Sequence, residues 1–148
     1  MVSIADVKQR ITEALRADGD LASLLGRDAS GQTPIYQDWI MGRMLWLPSI
    51  TISDVYVRCE SGGLNDAYDG LKRYMWSHAL IQIDVWAKSP GQRDKLSARV
   101  QQALLVADFG DLGLDLSPPL VIALAEPERS VYRHSIRYSV LYIVEVSV

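Results

Sequence analysis

Two histidines, one thiol and a scatter of loop aspartates are the side chains here whose types suit chemistry: His78, His134, Cys59, and Asp66, Asp69, Asp108, Asp111 and Asp115. A histidine catalyses or ligates a metal when a carboxylate or thiol converges on it. In strand alternation His78 lies with Trp76 and Asp84, and His134 with Tyr132 and Ile136. His78, His134 and Asp84 are therefore the one polar cluster on which a small enzyme or ligand-binding domain would be built. A hydrogen-bonded sheet histidine is the plainer reading of each. No serine occupies the Gly-x-Ser-x-Gly turn of a hydrolase elbow. Cys59 is the single cysteine, so it forms no internal disulfide, and a small semi-buried hydrophobe is its plainer reading. The aspartates lie in Gly-containing loops without the spacing of a calcium loop and its terminal Glu, so they read as solvated turn residues. "ESGGLND" and "DFGDLGLD" lack the Lys-Ser/Thr ending of a phosphate loop, and the Asp108-Phe109-Gly110 tripeptide stands without any companion kinase motif. The sequence predicts no catalytic residue, no metal site and no cofactor.

A different signal comes from arginine. Arg129, Arg133 and Arg137 recur at every fourth position with Val131, Ser135 and Ser139 between them, which on one strand places all three on one face. Such a stripe touches phosphates, pairs with acidic groups of a neighbouring subunit, or is simply a solvated sheet face. Four Trp and seven Tyr, with Trp76 and Trp86 beside Asp84 on the mixed face of a strand, favour a contact surface over a catalytic pocket. The expected interface residues are Arg129, Arg133, Arg137, Trp76, Asp84 and Trp86, joined by Asp66 and Asp69 in a long loop over 59–73.

The elements that position these residues follow from periodicity. Ser3 with Asp6 three residues on starts a helix whose stripe is Ile4, Val7, Ile11, Ala14 and Leu15. Gly19 breaks it, Asp20 is expected to cap a short second helix over "DLASLL", and Gly26 stops that helix. "IYQDW" is a short strand. "LPSITISDVYV" is a longer one with an irregularity near Asp54, expected as a bulge. "RYMWSHALIQIDVWAK" alternates an apolar face (Met75, Ala79, Ile81, Ile83, Val85, Ala87) with a mixed one. Ser89 and Pro90 then open a helix with the stripe Leu96, Val100, Ala103, Leu104 and Ala107. "LVIALAE" is a wholly apolar strand candidate. The stretch from Arg129 onward is a long strand, apolar on both faces through Leu141 and Ile143, and therefore interior to its sheet. The order helix, helix, three strands, helix, two strands is an α+β pattern.

Composition bounds the rest. With 148 residues, 49% hydrophobic and 22% charged, the sequence predicts a single domain over 1–148 that buries about two-thirds of its unfolded surface. A net charge of −3 gives no reason for avid binding to nucleic acid or an anionic membrane. Asp6, Lys8 and Arg10 interrupt the apolar run a signal peptide needs, so cytosol-like conditions of synthesis are expected.

The N-terminal pattern "I..AL.AD..L..LLG", then "PIYQD", "LPSITI", a long loop, "HALIQIDVWAKS", a helix through "VQQAL" and a tyrosine-rich final strand together resemble the tail-terminator, or tail-completion, proteins of long-tailed bacteriophages. The most specific piece is "I.I.VWAKS" (Ile81, Ile83, Val85, Trp86, Ser89) followed directly by the amphipathic helix. "WIMGRMLWL" departs from the pattern as an apolar insertion. The resemblance implies a twisted, mainly antiparallel or mixed sheet of four to five strands flanked by two main helices. It further implies a hexameric ring in the virion neck, assembled in the host cytoplasm, that ends tube polymerisation and meets the tail tube protein and the head connector. DNA would pass through its lumen without specific binding, and no membrane is involved. Another neck ring, a connector or stopper, is the related alternative.

Overall fold

The computed structural model describes residues 3–38, 46–60, 67–69, 72–110, 115–126 and 129–147. Helix α1, Ile4–Ala17, begins as its sequence dictates. The Ser3 hydroxyl accepts from the Asp6 amide at 3.3 Å, and the Asp6 carboxylate accepts from the Ser3 amide at 2.7 Å, so two orphan donors are satisfied reciprocally. Val7, Ile11 and Leu15 form its fully buried stripe. Helix α2, Gly19–Leu25, is capped by Asp18 and not by Asp20 as expected from the sequence. The Asp18 carboxylate accepts from the Leu21 amide at 2.9 Å, the three-residue reach a cap requires, while Asp20 already lies inside the first turn. Arg99 of helix α3, Pro90–Val106, donates two hydrogen bonds to the same carboxylate at 2.9 and 2.6 Å. That bidentate pair holds the Asp18 carboxyl below its ordinary range and ties α3 to the junction of the other two helices. Asp18→Ala removes the cap and leaves Arg99 short of its partner, and is expected to cost about 2 kcal/mol, read as a lowered urea midpoint at unchanged slope.

The strands are β1 (Ile35–Gln37), β2 (Ser49–Glu60), β3 (Ala67–Asp69), β4 (Lys72–Ala87), β5 (Asp115–Leu116), β6 (Leu120–Glu126) and β7 (Val131–Ser147). They form one mixed, mainly antiparallel sheet whose main path is β1-β2-β4-β7-β5. The short β3 pairs with β4 and the edge strand β6 with β7. Among the described residues only β1 and β2 run parallel. The expected irregularity is present as a register shift between Asp54 and Tyr56. β7 is interior, paired with β4 on one side and with β5 and β6 on the other, as its two apolar faces require.

One expectation changes. The loop over 59–73 is partly strand, because β2 runs to Glu60, β3 covers 67–69 and β4 starts at Lys72. A long neighbouring strand supplies ladder partners out to Glu60↔Trp76 and Lys72↔Ser147, and this outweighs the turn-forming composition. The wholly apolar β6 is an edge strand, with Leu120, Val121 and Leu124 exposed.

All three helices contribute to one core cluster on one sheet face, formed with Ile50, Ile52, Ala79, Ile81, Ile83, Val85, Ile136, Tyr138 and Val140. α3 starts at the Ser89 cap with Pro90 in its first turn, and sets Leu96, Val100 and Leu104 in that cluster.

Candidate functional site

Antiparallel register fixes what the other face of the sheet displays. Three cross-strand rows run β2-β4-β7-β6: Ser49-Trp86-Arg133-Leu124, Thr51-Asp84-Ser135-Ile122, and Ser53-Gln82-Arg137-Leu120. The side chains of these rows are linked. Arg137 Nε donates to Gln82 Oε1 at 3.2 Å, and Gln82 Nε2 donates to Asp84 Oδ2 at 2.9 Å. The Arg133 guanidinium stands 3.8 Å from Asp84 Oδ1 and lies over the Trp86 ring at 4.8 Å from its centroid. Trp86 Nε1 in turn donates to Thr51 Oγ1 at 3.0 Å.

The centre of this strip is buried: Asp84 is 6% exposed and Ser135 1%. Asp84 Oδ1, Arg133 Nε, Ser135 Oγ and Ser49 Oγ are enclosed without a hydrogen-bond partner among the described residues. The Arg133–Asp84 attraction therefore acts in a poorly solvated setting, where removing either charge is costly. Around the strip Trp76, Tyr56, Leu120 and Leu124 remain exposed. Exposed aromatic and aliphatic side chains thus surround a buried polar centre.

The structure thus brings together four of the expected residues, Arg133, Arg137, Asp84 and Trp86, and places Trp76 further along the same face. Arg129 leaves the stripe. β7 begins only at Val131, and Ser130 takes a left-handed backbone (φ 52°) that breaks the strand period between Arg129 and Arg133. Arg129 lies instead in the β6–β7 turn, 79% exposed and 3.8 Å from Glu126. Asp66 lies outside the described residues. Asp69 ends β3, with its side chain outside what is described.

The histidine cluster does not form. His78 is on the strip face, where its Nε2 meets Ser139 Oγ at 2.6 Å and its ring meets Tyr56 edge-on. His134 pairs with Val85 in the register of the helix-covered face, so it cannot converge with Asp84. Burial, and then the charge of Arg93, lower the His134 pKa against the pull of Asp94 at 3.6 Å. Among the described residues no three His, Cys, Asp or Glu side chains are grouped to hold a metal. A groove of about 710 Å³ opens beside the end of α3, lined by Leu104, Phe109, Leu116, Pro118 and Tyr138. The Tyr138 hydroxyl, pushed up to about 12 by burial, stays protonated there and supplies no base.

Sequence reasoning missed a second polar set. Lys8 Nζ, on the buried side of α1, donates to Asp38 at 2.7 and 2.9 Å and to Asp54 at 2.8 Å. Asp54 stands in register with Ile81 just before the bulge, on the helix-covered face, where the run Ile50, Ile52 calls for another apolar residue. That interruption of the alternation is the one signal for it in the sequence.

No protein-family model matches the chain, and no curated protein matches it. Among solved structures it is similar to a chain of the virion of a native gene transfer agent particle, with a TM-score of 0.55 and 17% identity over 97% of this chain and 100% of that one. At that identity the likeness establishes the fold.

Proposed function

We propose that this protein is a virion structural component, a tail terminator that forms a hexameric ring at the head-proximal end of a phage-type tail. The observation that carries the reading is the extent of the fold match, 97% of this chain against 100% of a virion chain, with no large element added on either side. The resemblance carried by "I.I.VWAKS" and the helix after it points the same way. On this reading the helix-free face is a contact surface. Arg129 and Trp76, both exposed, meet neighbouring subunits, together with Asp66 and Asp69, while the Arg133–Asp84–Trp86 strip braces the surface from beneath. The ring joins the tail tube protein on one side and the head connector on the other. DNA slides through its lumen, which the net charge of −3 suits better than a strongly basic chain would.

Electron microscopy of the purified protein with tail tubes tests the proposal. Annular particles seated on one end of each tube, with the mass of six copies in light scattering, are expected. A monodisperse monomer that leaves both tube ends bare overturns it.

A further inference from the structure

A sheet edge that is long, apolar and without protective devices is a template for another strand. β6 is such an edge. Among the described residues Leu120–Glu126 pairs with β7 on one side only; it contains no Lys, Pro or Gly, carries no bulge, and exposes Leu120, Val121 and Leu124. The opposite edge of the same sheet is open as well. β1 covers β2 only from Ile50 to Ile52, and Asp38 closes the Ile52 carbonyl. Beyond the bulge, Tyr56–Glu60 runs in regular register with β4 and has no strand on its outer side among the described residues. Tyr56 and Val57 are exposed there, at 43% each.

We infer that β6 of one copy adds to the Tyr56–Glu60 edge of the next, joining copies head to tail through a continuous sheet. The inference rests on the ring reading and names its contact. The directions fit. β2 and β7 both run antiparallel to β4, and β6 runs antiparallel to β7, so β6 of one copy meets β2 of an identically oriented neighbour antiparallel. The join is staggered, because β1 already occupies the part of β2 that lies level with β6. By register the step is about six residues along the strands, roughly 20 Å, for every four strands, roughly 19 Å across. That inclines the strands at about 45°, close to the tilt of closed sheets. A heterologous join of this kind makes a ring when its rotation closes, whereas pairing of like edges stops at a dimer.

Lysines on exposed positions test each edge while leaving the core intact. One variant carries Val121→Lys with Leu124→Lys, the other Tyr56→Lys with Val57→Lys. Each alone is expected to weaken self-association at least about 100-fold and to sediment as a monomer, with the far-ultraviolet circular dichroism of the parent. A 1:1 mixture leaves one sound edge on each partner and is expected to give a heterodimer, and nothing larger, in native mass spectrometry. A β2-edge variant that still dimerises by itself would show like-edge pairing and overturn the inference. So would a mixture that stays monomeric, or rings that persist in both variants. If the parent protein caps tail tubes while both variants still form rings, the edge assignment fails and the terminator reading stands. A parent that neither caps tubes nor self-associates sinks both.

Discussion

Arg133→Glu is expected to lower the stability of the monomer by about 3 kcal/mol, the low end of what breaking a buried ion pair costs, because the Arg133 side chain keeps 29% of its exposure. Three losses combine. Asp84, buried in the sheet, loses its cation at 3.8 Å, and Trp86 loses the guanidinium over its ring. The new carboxylate also lies beside the old one in a poorly solvated strip, where like charges repel. Urea denaturation measures the loss, and a change under 1 kcal/mol at neutral pH would show that the strip is not electrostatically coupled. Assembly is better tested at Arg129→Glu, since loss of rings in an Arg133 variant would report a weakened fold.

Lys8→Met is expected to cost about 2 to 3 kcal/mol. Lys8 is buried, but Asp38 and Asp54 retain 56% and 35% of their side-chain exposure, so the value falls below that of a fully enclosed pair. The pH dependence has a definite sign. Burial alone lowers the Lys8 pKa, and the hydrogen bonds to Asp38 and Asp54 outweigh it and raise it above 10.5. Its contribution is complete below pH 10.5 and is lost as pH rises through the folded value. The Lys8 hydrogen bond lowers Asp54 below 3.8, so that contribution is present above 3.8 and lost as pH falls through the folded value. The gap between Lys8→Met and its parent is therefore widest between these limits and narrows on either side. Adding Asp54→Val to Lys8→Met should restore most of the loss, because an apolar residue suits the position opposite Ile81. A double variant no more stable than the single one would place the cost in the packing of α1.

Local signals in the sequence led to the right structure where the determinant itself was local. The Ser3 box, the Ser89-Pro90 start, the α3 stripe and the two-faced β7 needed only neighbours three or four positions away. The bulge after Asp54 was legible for the same reason. What was not legible depends on partners far along the chain. Asp18 outdid Asp20 as a cap in part through Arg99, and Lys8 became a buried residue through Asp38 and Asp54. Arg129 was assigned to a strand because periodicity cannot see the left-handed backbone of Ser130. The apolar composition of β6 does not reveal its place in the sheet, and its position at an edge follows from pairing beyond its own residues. Of the candidate site, the shared face of Asp84 and Trp86 was accessible from alternation alone, while their meeting with Arg133 and the separation of His134 from His78 required the register of β4 against β7.

That register also sets an order on maturation. Among the described residues β6 has no partner except β7, and β4 lacks its longest neighbour until Val131–Ser147 has been made. Contacts so distant in sequence close slowly, and a nascent chain cannot close them before β7 emerges. The apolar edge at β6 therefore comes into being only once β7 is in place. A truncated chain has no ordered template to offer, so incomplete copies are kept out of any assembly that grows by strand addition.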